Sequence, residues 1–592
     1  MNDKMNELVQ FSPVAGRLFL EKVPGEASRK IEHENDVLAA DGADRTMYAY
    51  APVSGCPDPK QCQVLMVLRD EQDASSAQEL MDRLGLAQLA EEEHFLLLFP
   101  NSAGDGWNYQ NDLLRDNDMD FLIRCFGALR TSQVGVNGFN GMVFYLAATP
   151  GASAMLMTMA AKKPLNVPAM MIGPFPSDYQ IPPDALDVET AAMVMDNNTA
   201  ASYLRRANGV SREESADGVT TAFGTNPNVR LMTTQRSLDR NTLRLAWDRL
   251  FSQSRRWQND THGTYQKRTA FTQRGFTAHV KDSSLGVNDG FPHTWYEYVP
   301  PQLRGTTEKV PLVFYFHGVN CVPLYGAEQS SWHDIADREN FIVVYPAPAI
   351  CKAWNIYNDP ALPRDFDFVL ALIEHMKTVH PIDETRIYAT GFSMGGMMTH
   401  ALCGAYPDIF AAGAPFNAFD FAYFKDPRGT YAAVVKGVDP HVLRPESTQK
   451  QMADEKWSRS EYRMPIFQNA GYNDATIGLF PVDETARDVR VPTILRWRKL
   501  NNTPVDTVFD PTTLTGLAAD ESFYEDDAQR FFHQRWHSTD EGAPVLYEMI
   551  TAKRMPHAIL PVQVEYAWKF IKKFRRMPGG ALKIEDQEDA HD

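Results

Sequence analysis

Cysteine is scarce in this chain and unpatterned. The six residues at positions 56, 62, 125, 321, 351 and 403 include no C-x-x-C pair, so reduced thiols are expected; Cys56 and Cys62 would pair only in an exported protein. No apolar h-region opens the sequence, which begins Met-Asn-Asp-Lys-Met-Asn-Glu-Leu-Val-Gln. No secretory signal is visible, and a cytoplasmic location is expected. Membrane-length apolar runs are missing too. The one uncharged stretch, Met142 to Ala161, is broken by Pro150-Gly151 and reads as a buried strand, a turn and a core helix. Basic residues are in the minority, 58 against 76 acidic ones, and the formal net charge of −18 argues against a nucleic-acid or membrane partner.

With 592 residues, 44% of them hydrophobic and 23% charged, the chain has a globular composition but is too long for one core. Two domains of roughly 250–300 residues are expected. An internal repeat says how they arise. Tyr48-Ala-Tyr-Ala-Pro52 recurs 248 positions later as Tyr296-Glu-Tyr-Val-Pro300, and Phe95-Leu-Leu-Leu-Phe-Pro100 recurs 246 later as Phe341-Ile-Val-Val-Tyr-Pro346. Trp107-Asn108 and Trp354-Asn355 are 247 apart, as are Asp118-Met-Asp-Phe121 and Asp365-Phe-Asp-Phe368. Near the ends of the halves, Ala246-Trp247 resembles Ala567-Trp568. Four anchors at a near-constant offset imply two tandem α/β units. The expected division is a first domain over 1–260 and a second over 261–576, followed by a disordered acidic tail, 577–592.

Gly391-Phe-Ser-Met-Gly395 follows the strand-like run Arg386-Ile-Tyr-Ala-Thr390. This is the G-x-S-x-G nucleophile elbow in its strand–turn–helix setting, with Ser393 at the tip of the turn. Its glycines let a strained backbone pass neighbouring chain without a Cβ clash. Aligning Tyr145–Pro164 on Tyr388–Pro407 sets Pro150 opposite Ser393, and proline has neither hydroxyl nor N–H. Arg69-Asp70 falls opposite His317-Gly318, and the C-terminal anchor puts Arg236 opposite His557. The first half therefore reads as a fold that has lost its chemistry.

Each half reads as alternating strands and helices, which implies a mainly parallel sheet covered on both faces. A serine needs a base to take its proton and a carboxylate to orient that base. In this fold they follow in the order Ser, Asp or Glu, His. Asp474 ends the loop after the strand-like Pro465–Asn469, and Asp483 and Asp488 are its rivals farther along. His557 lies in the loop after the last strand, just before the closing helix. The oxyanion donors expected are the N–H of Met394 and that of Val319, with Asn320 the alternative to Val319, in the loop His317-Gly-Val-Asn-Cys321. His317 is expected to fix that loop, and Trp354 to wall the pocket or pack. His533 and His537, spaced i, i+4, lack a third ligand, so no metal is expected. The aromatic-rich stretch 417–463 is expected to form a lid.

Taken together, Leu312-Val-Phe-Tyr-Phe-His-Gly318, Trp354-Asn355, Asp365-Phe-Asp-Phe368, the block Arg386–Met398, Gly471-Tyr-Asn-Asp474 and His557 resemble the polyhydroxybutyrate depolymerase-like and feruloyl esterase group of α/β-hydrolases. The resemblance covers about residues 275–576. It implies a serine carboxylic ester hydrolase with Ser393, Asp474 and His557 as its triad and no cofactor, acting on small esters (hydroxycinnamoyl, acetyl or short hydroxyalkanoate). A peptidase or amidase of the same fold and a non-catalytic scaffold are the alternatives. The group usually has His-Gly-Cys where this chain has His317-Gly-Val319. The first half is expected to shape the cleft or a homo-oligomer.

Overall fold

The computed structural model describes residues 8–585 except 12, 26–43, 57–61, 72, 105, 111–116, 130, 137–139, 260–261, 267, 350–352, 357–361, 419–461, 475, 477–493, 495, 505–509, 511 and 526–527. The chain forms two compact units, Asn6–Arg268 and Thr269–Asp592.

The N-terminal unit holds strands β1 (Leu18–Val23), β2 (Arg45–Tyr50), β3 (Val64–Leu68), β4 (Leu96–Pro100), β5 (Val143–Ala147), β6 (Ala169–Ile172), β7 (Ala191–Met195), β8 (Arg212–Ala216), β9 (Val219–Phe223) and β10 (Arg230–Thr234). They form one sheet in the order β1-β2-β4-β3-β5-β6-β7-β10-β9-β8. From β4 to β10 in that order the pairings are parallel, and both flanks are antiparallel. Continuous apolar runs such as Val-Leu-Met-Val-Leu in β3 are buried throughout, as a strand covered on both faces requires. The covering helices are α1 (Ala74–Leu84), α2 (Leu86–Glu93), α3 (Asp118–Ala128), α4 (Pro150–Lys162), α5 (Asn198–Ala207) and α6 (Arg240–Arg249). The outermost strand, β8, reads Arg-Glu-Glu-Ser-Ala and is exposed along its length; its charges oppose further edge pairing. A small ribbon of β11 (Arg256–Trp257) and β12 (Thr264–Tyr265) ends the unit.

The C-terminal unit repeats this plan. Strands β13 (Phe276–Asp282), β14 (His293–Tyr298), β15 (Val310–Phe316), β16 (Ile342–Pro346), β17 (Ile382–Phe392), β18 (Ala412–Phe416), β19 (Ile466–Gly471), β20 (Glu521–Tyr524), β21 (Phe531–His537) and β22 (Val545–Ala552) are arranged β13-β14-β16-β15-β17-β18-β19-β22-β21-β20. Strand order and the placing of parallel and antiparallel pairs match the first sheet position for position. Helices α7 (Phe271–Arg274), α8 (Pro323–Ser330), α9 (Trp332–Glu339), α10 (Asp365–Val379), α11 (Met394–Ala405) and α12 (Pro561–Ile571) accompany them. The protein is thus two tandem α/β domains, each a mainly parallel sheet flanked by helices.

Local packing is duplicated as well. Phe95 and Trp247 stack at 4.0 Å in the first unit, and Phe341 and Trp568 lie 4.2 Å apart in the second. Trp107 Nε1 donates to the Arg69 carbonyl at 3.0 Å, and Trp354 Nε1 to the His317 carbonyl at 2.8 Å. The Asn108 and Asn355 amides donate to Asp118 and Asp365 at 2.6 and 2.7 Å.

The edge strands β13 and β20, and β21 beside β20, were not legible as strands. His533 and His537 lie on β21 and serve separate carboxylates, Glu548 and Glu521, each at 2.7 Å. The segment after Arg576 does not lose structure at residue 577: β24 (Leu582–Ile584) folds back antiparallel on β23 (Phe574–Arg576). Most of the expected lid, and the rival acids Asp483 and Asp488, lie outside the described residues.

Candidate active site

The elbow forms where β17 runs into α11. Ser393 has φ +56° and ψ −121°, a backbone state that costs of order 1–3 kcal/mol and persists only where its surroundings impose it. Here three glycines allow the imposition. A Cβ on Gly391 would lie 2.4 Å from the Gly395 carbonyl oxygen and 2.7 Å from that of Phe316. One on Gly395 would lie 1.9 Å from the Phe316 oxygen, and one on Gly396 2.6 Å from the Ala418 Cβ. Strand β15 and the segment after β18 can approach the elbow and α11 this closely only because these side chains are missing. The turn is tied across the sheet by the Ser393 N–H, which donates to the Phe416 carbonyl at 2.9 Å.

The loops carrying Asp474 and His557 close on each other at the same end of the sheet. His557 Nδ1 lies 2.7 Å from Asp474 Oδ2, with Asp474 buried and His557 partly open to solvent. The imidazole rests against Phe392, the neighbour of Ser393, with ring centroids 4.7 Å apart. Gly471 makes the approach of the loops feasible: a Cβ there would meet the carbonyl oxygens of Met555 and Pro556 at 2.5 and 2.7 Å. The carboxylate is further held by the Thr476 N–H on Oδ1 at 2.9 Å and by Asn417 Nδ2 on Oδ2 at 2.8 Å. Asn417 had no sequence signal beyond its place at the end of a core strand.

Met394 is the first residue of α11, where N–H groups lack intrahelical acceptors. Opposite it, the loop after β15 approaches the elbow through Gly318, whose Cβ would come within 3.3 Å of both Ser393 Cβ and Phe392. The Cys321 N–H bonds back to the Gly318 carbonyl at 3.2 Å, forming a turn around Val319 and Asn320. His317 and Trp354 are buried at 1% and 0% exposure, beneath this loop rather than on an open wall. His317 Nδ1 lies 2.8 Å from the Gly318 carbonyl, and the Trp354 indole holds the His317 carbonyl. Asp365 fastens the Trp354-Asn355 segment through the N–H groups of Ala349 and Asn355 at 3.0 and 2.7 Å; burial pushes its carboxyl up to about 7. Among the described residues no group of three or more His, Cys, Asp or Glu side chains could hold a metal ion.

The first unit differs at each of these points. Helices α4 and α11 begin at Pro150 and Met394, each preceded by its N-cap, Thr149 and Ser393. Thr149, rather than Pro150, is therefore the structural counterpart of the serine. Its backbone is relaxed, with φ −134° and ψ 163°, and its hydroxyl accepts the Ala152 N–H at 3.2 Å. Pro150 instead removes the N–H that Met394 supplies. Following the register through β5, β6 and β7 and through β17, β18 and β19 sets Ala200 opposite Asp474. Residues 235–239 separate β10 from α6, whereas 553–560 separate β22 from α12, so the loop bearing His557 is three residues longer. That extension shifts the register, so Arg236 has no fixed relation to His557.

Residues 294–424, which include the oxyanion-type loop and the elbow, match the family model described as Esterase PHB depolymerase. Over 131 residues the chain is 34% identical to feruloyl esterase B of Thermothelomyces thermophilus, covering 21% of this chain and 44% of that protein. Over 165 residues it is 30% identical to poly(3-hydroxyalkanoate) depolymerase C of Paucimonas lemoignei, covering 26% and 38%. The chain thus spans less than half the length of these curated relatives. Among solved structures, an acetyl xylan esterase from Aspergillus awamori is similar over 50% of this chain and 99% of its own, with TM-score 0.36 and 15% identity. The stretch matched to the Esterase PHB depolymerase domain stops before Asp474 and His557.

Proposed function

We propose that the C-terminal unit is a serine carboxylic ester hydrolase working through Ser393, His557 and Asp474. The observation that carries the reading is the 2.7 Å contact of His557 Nδ1 with buried Asp474, beside an elbow that strains Ser393. With Nδ1–H given to the carboxylate, Nε2 of neutral His557 is left as the base. Ser393 Oγ attacks the ester carbonyl, its proton passes to His557, and the N–H groups of Met394 and Val319 stabilise the oxyanion. His557 then protonates the leaving alcohol. Water, deprotonated by the same imidazole, cleaves the acyl-enzyme, and Asp474 stabilises the imidazolium in both halves of the cycle.

The substrates proposed are small esters: hydroxycinnamoyl, acetyl or short hydroxyalkanoate. Relatives named feruloyl esterase, acetylxylan esterase and poly(3-hydroxyalkanoate) depolymerase support this range. The N-terminal unit is proposed to be non-catalytic, in keeping with Thr149, Pro150 and Ala200 at the counterpart positions. Hydrolysis of methyl ferulate, p-nitrophenyl acetate and a hydroxybutyrate dimer, set against aminoacyl amides, tests the reading. Ester turnover that disappears in Ser393→Ala is expected; turnover of the amides alone would overturn the ester assignment.

A further inference from the structure

We infer that Asn417 is a positioning residue of the hydrolytic site, a side-chain amide that fixes the acid and base loops relative to each other. The inference rests on the triad reading of Ser393, Asp474 and His557. Asn417 is the first residue after β18, between the elbow strand and the acid strand in the sheet. It is fully buried, and its own N–H donates to the Asn469 carbonyl of β19 at 2.9 Å. Its φ is +46°, a left-handed state that asparagine tolerates better than other residues with a Cβ, apart from aspartate.

The side chain reaches both loops. Nδ2 donates to Asp474 Oδ2 at 2.8 Å, the same oxygen that faces His557 Nδ1 at 2.7 Å. The same nitrogen lies 3.5 Å from the carbonyl oxygen of Pro556, the residue before His557. It occupies the space opened by Gly471, whose Cβ would come 3.2 Å from it. An amide hydrogen on Oδ2 favours the ionised carboxylate and shares its charge with the imidazole bond. Without that hydrogen, Asp474 would be a stronger acceptor toward His557 and would be held in one fewer direction. The acid limb of the pH–rate profile should then move to higher pH, while turnover falls because the imidazole is less well aimed.

The test compares full-length wild type with Asn417→Gly and Asn417→Asp. Glycine keeps the left-handed backbone unstrained and removes only the amide; aspartate keeps the shape but replaces a donor with a second carboxylate. Active sites are titrated with a fluorophosphonate, and p-nitrophenyl acetate hydrolysis is followed from pH 5 to 9. Per labelled site, Asn417→Gly should lose roughly tenfold in kcat with KM changed less than twofold, and its acid limb should shift upward. Asn417→Asp should lose more than Asn417→Gly above pH 7. A lower Tm with kcat per site and pH profile unchanged in Asn417→Gly would make the residue merely structural and overturn the inference. A wild type that neither labels nor hydrolyses would overturn the triad reading, and this inference with it.

Discussion

Replacing Gly395 by alanine isolates the contact that makes the elbow possible. The new methyl would start 1.9 Å from the Phe316 carbonyl oxygen and 2.4 Å from its carbon. Both are backbone atoms of β15, a strand paired on both sides, so no side-chain rotation relieves the clash. Reaching even a 3.0 Å separation means moving the strand end or α11 by about 1 Å, and overpacking of this kind costs about 1–3 kcal/mol or more. A displacement near 1 Å at the nucleophile also lowers turnover roughly 100-fold. The first unit supplies the control. Gly151 is the counterpart of Gly395, and its Cβ would meet only the Asp70 carboxylate, at 3.2 Å, a side chain that can give way. Alanine there is worth up to about 1 kcal/mol in helix propensity, enough to offset a mild contact. Urea unfolding and p-nitrophenyl acetate hydrolysis of the two variants should separate them. Gly395→Ala should lose stability and activity together, and Gly151→Ala should match wild type in both. Equal behaviour of the two, with Gly395→Ala fully active, would refute the argument that glycine is sterically required at the elbow.

Further outcomes follow from the same geometry. Asp474→Asn should lower kcat by about 10,000-fold with little change in KM, because the amide favours the wrong imidazole tautomer; steady-state kinetics checks this. Gly318→Asp should abolish fluorophosphonate labelling of Ser393, since a Cβ at 318 already reaches within 3.3 Å of the Ser393 Cβ. The first unit carries Asp70 at that position, with Oδ1 3.2 Å from the Gly151 Cβ site. Asp365 gives a pH signature. Burial raises its carboxyl from 3.8 to about 7, so the native state binds more protons than the unfolded state between those values. Stability should fall as pH rises through that window, by on the order of 4 kcal/mol at most. Asp365→Asn should flatten the fall in urea denaturation series from pH 4 to 7.

The fold and most of the candidate site were legible because they rest on local patterns. Buried parallel strands show as unbroken apolar runs, the elbow as glycines around a serine, and helix Asp365–Val379 as an amphipathic segment. Asp474 could be singled out from chain order and a strand end. The outer antiparallel strands were less visible because they mix charged and apolar residues: β21 reads Phe-Phe-His-Gln-Arg-Trp-His and lacks clean alternation. The repeat slipped by one residue at the elbow for a physical reason. Tyr145 and Tyr388 match as letters, yet Tyr145 packs on the face of Trp107 and Phe121, and Tyr388 on the opposite face with Trp568. Phe144, on the Trp247 face, is the true counterpart. A one-residue slip in a strand reverses every side chain, so the face decides the register where residue identity misleads. Asn417 stayed hidden because its role depends on two loops 57 and 139 positions away.

The central claim is the proposal that Ser393 is an activated nucleophile of the C-terminal unit. Its most direct measurement is intact-mass and peptide mapping of the full-length protein after reaction with a fluorophosphonate, alongside Ser393→Ala. The account predicts one adduct per chain, on Ser393, lost in the variant together with ester hydrolysis. An adduct on Thr149 or elsewhere in the first unit, or ester hydrolysis that survives in Ser393→Ala, would contradict it.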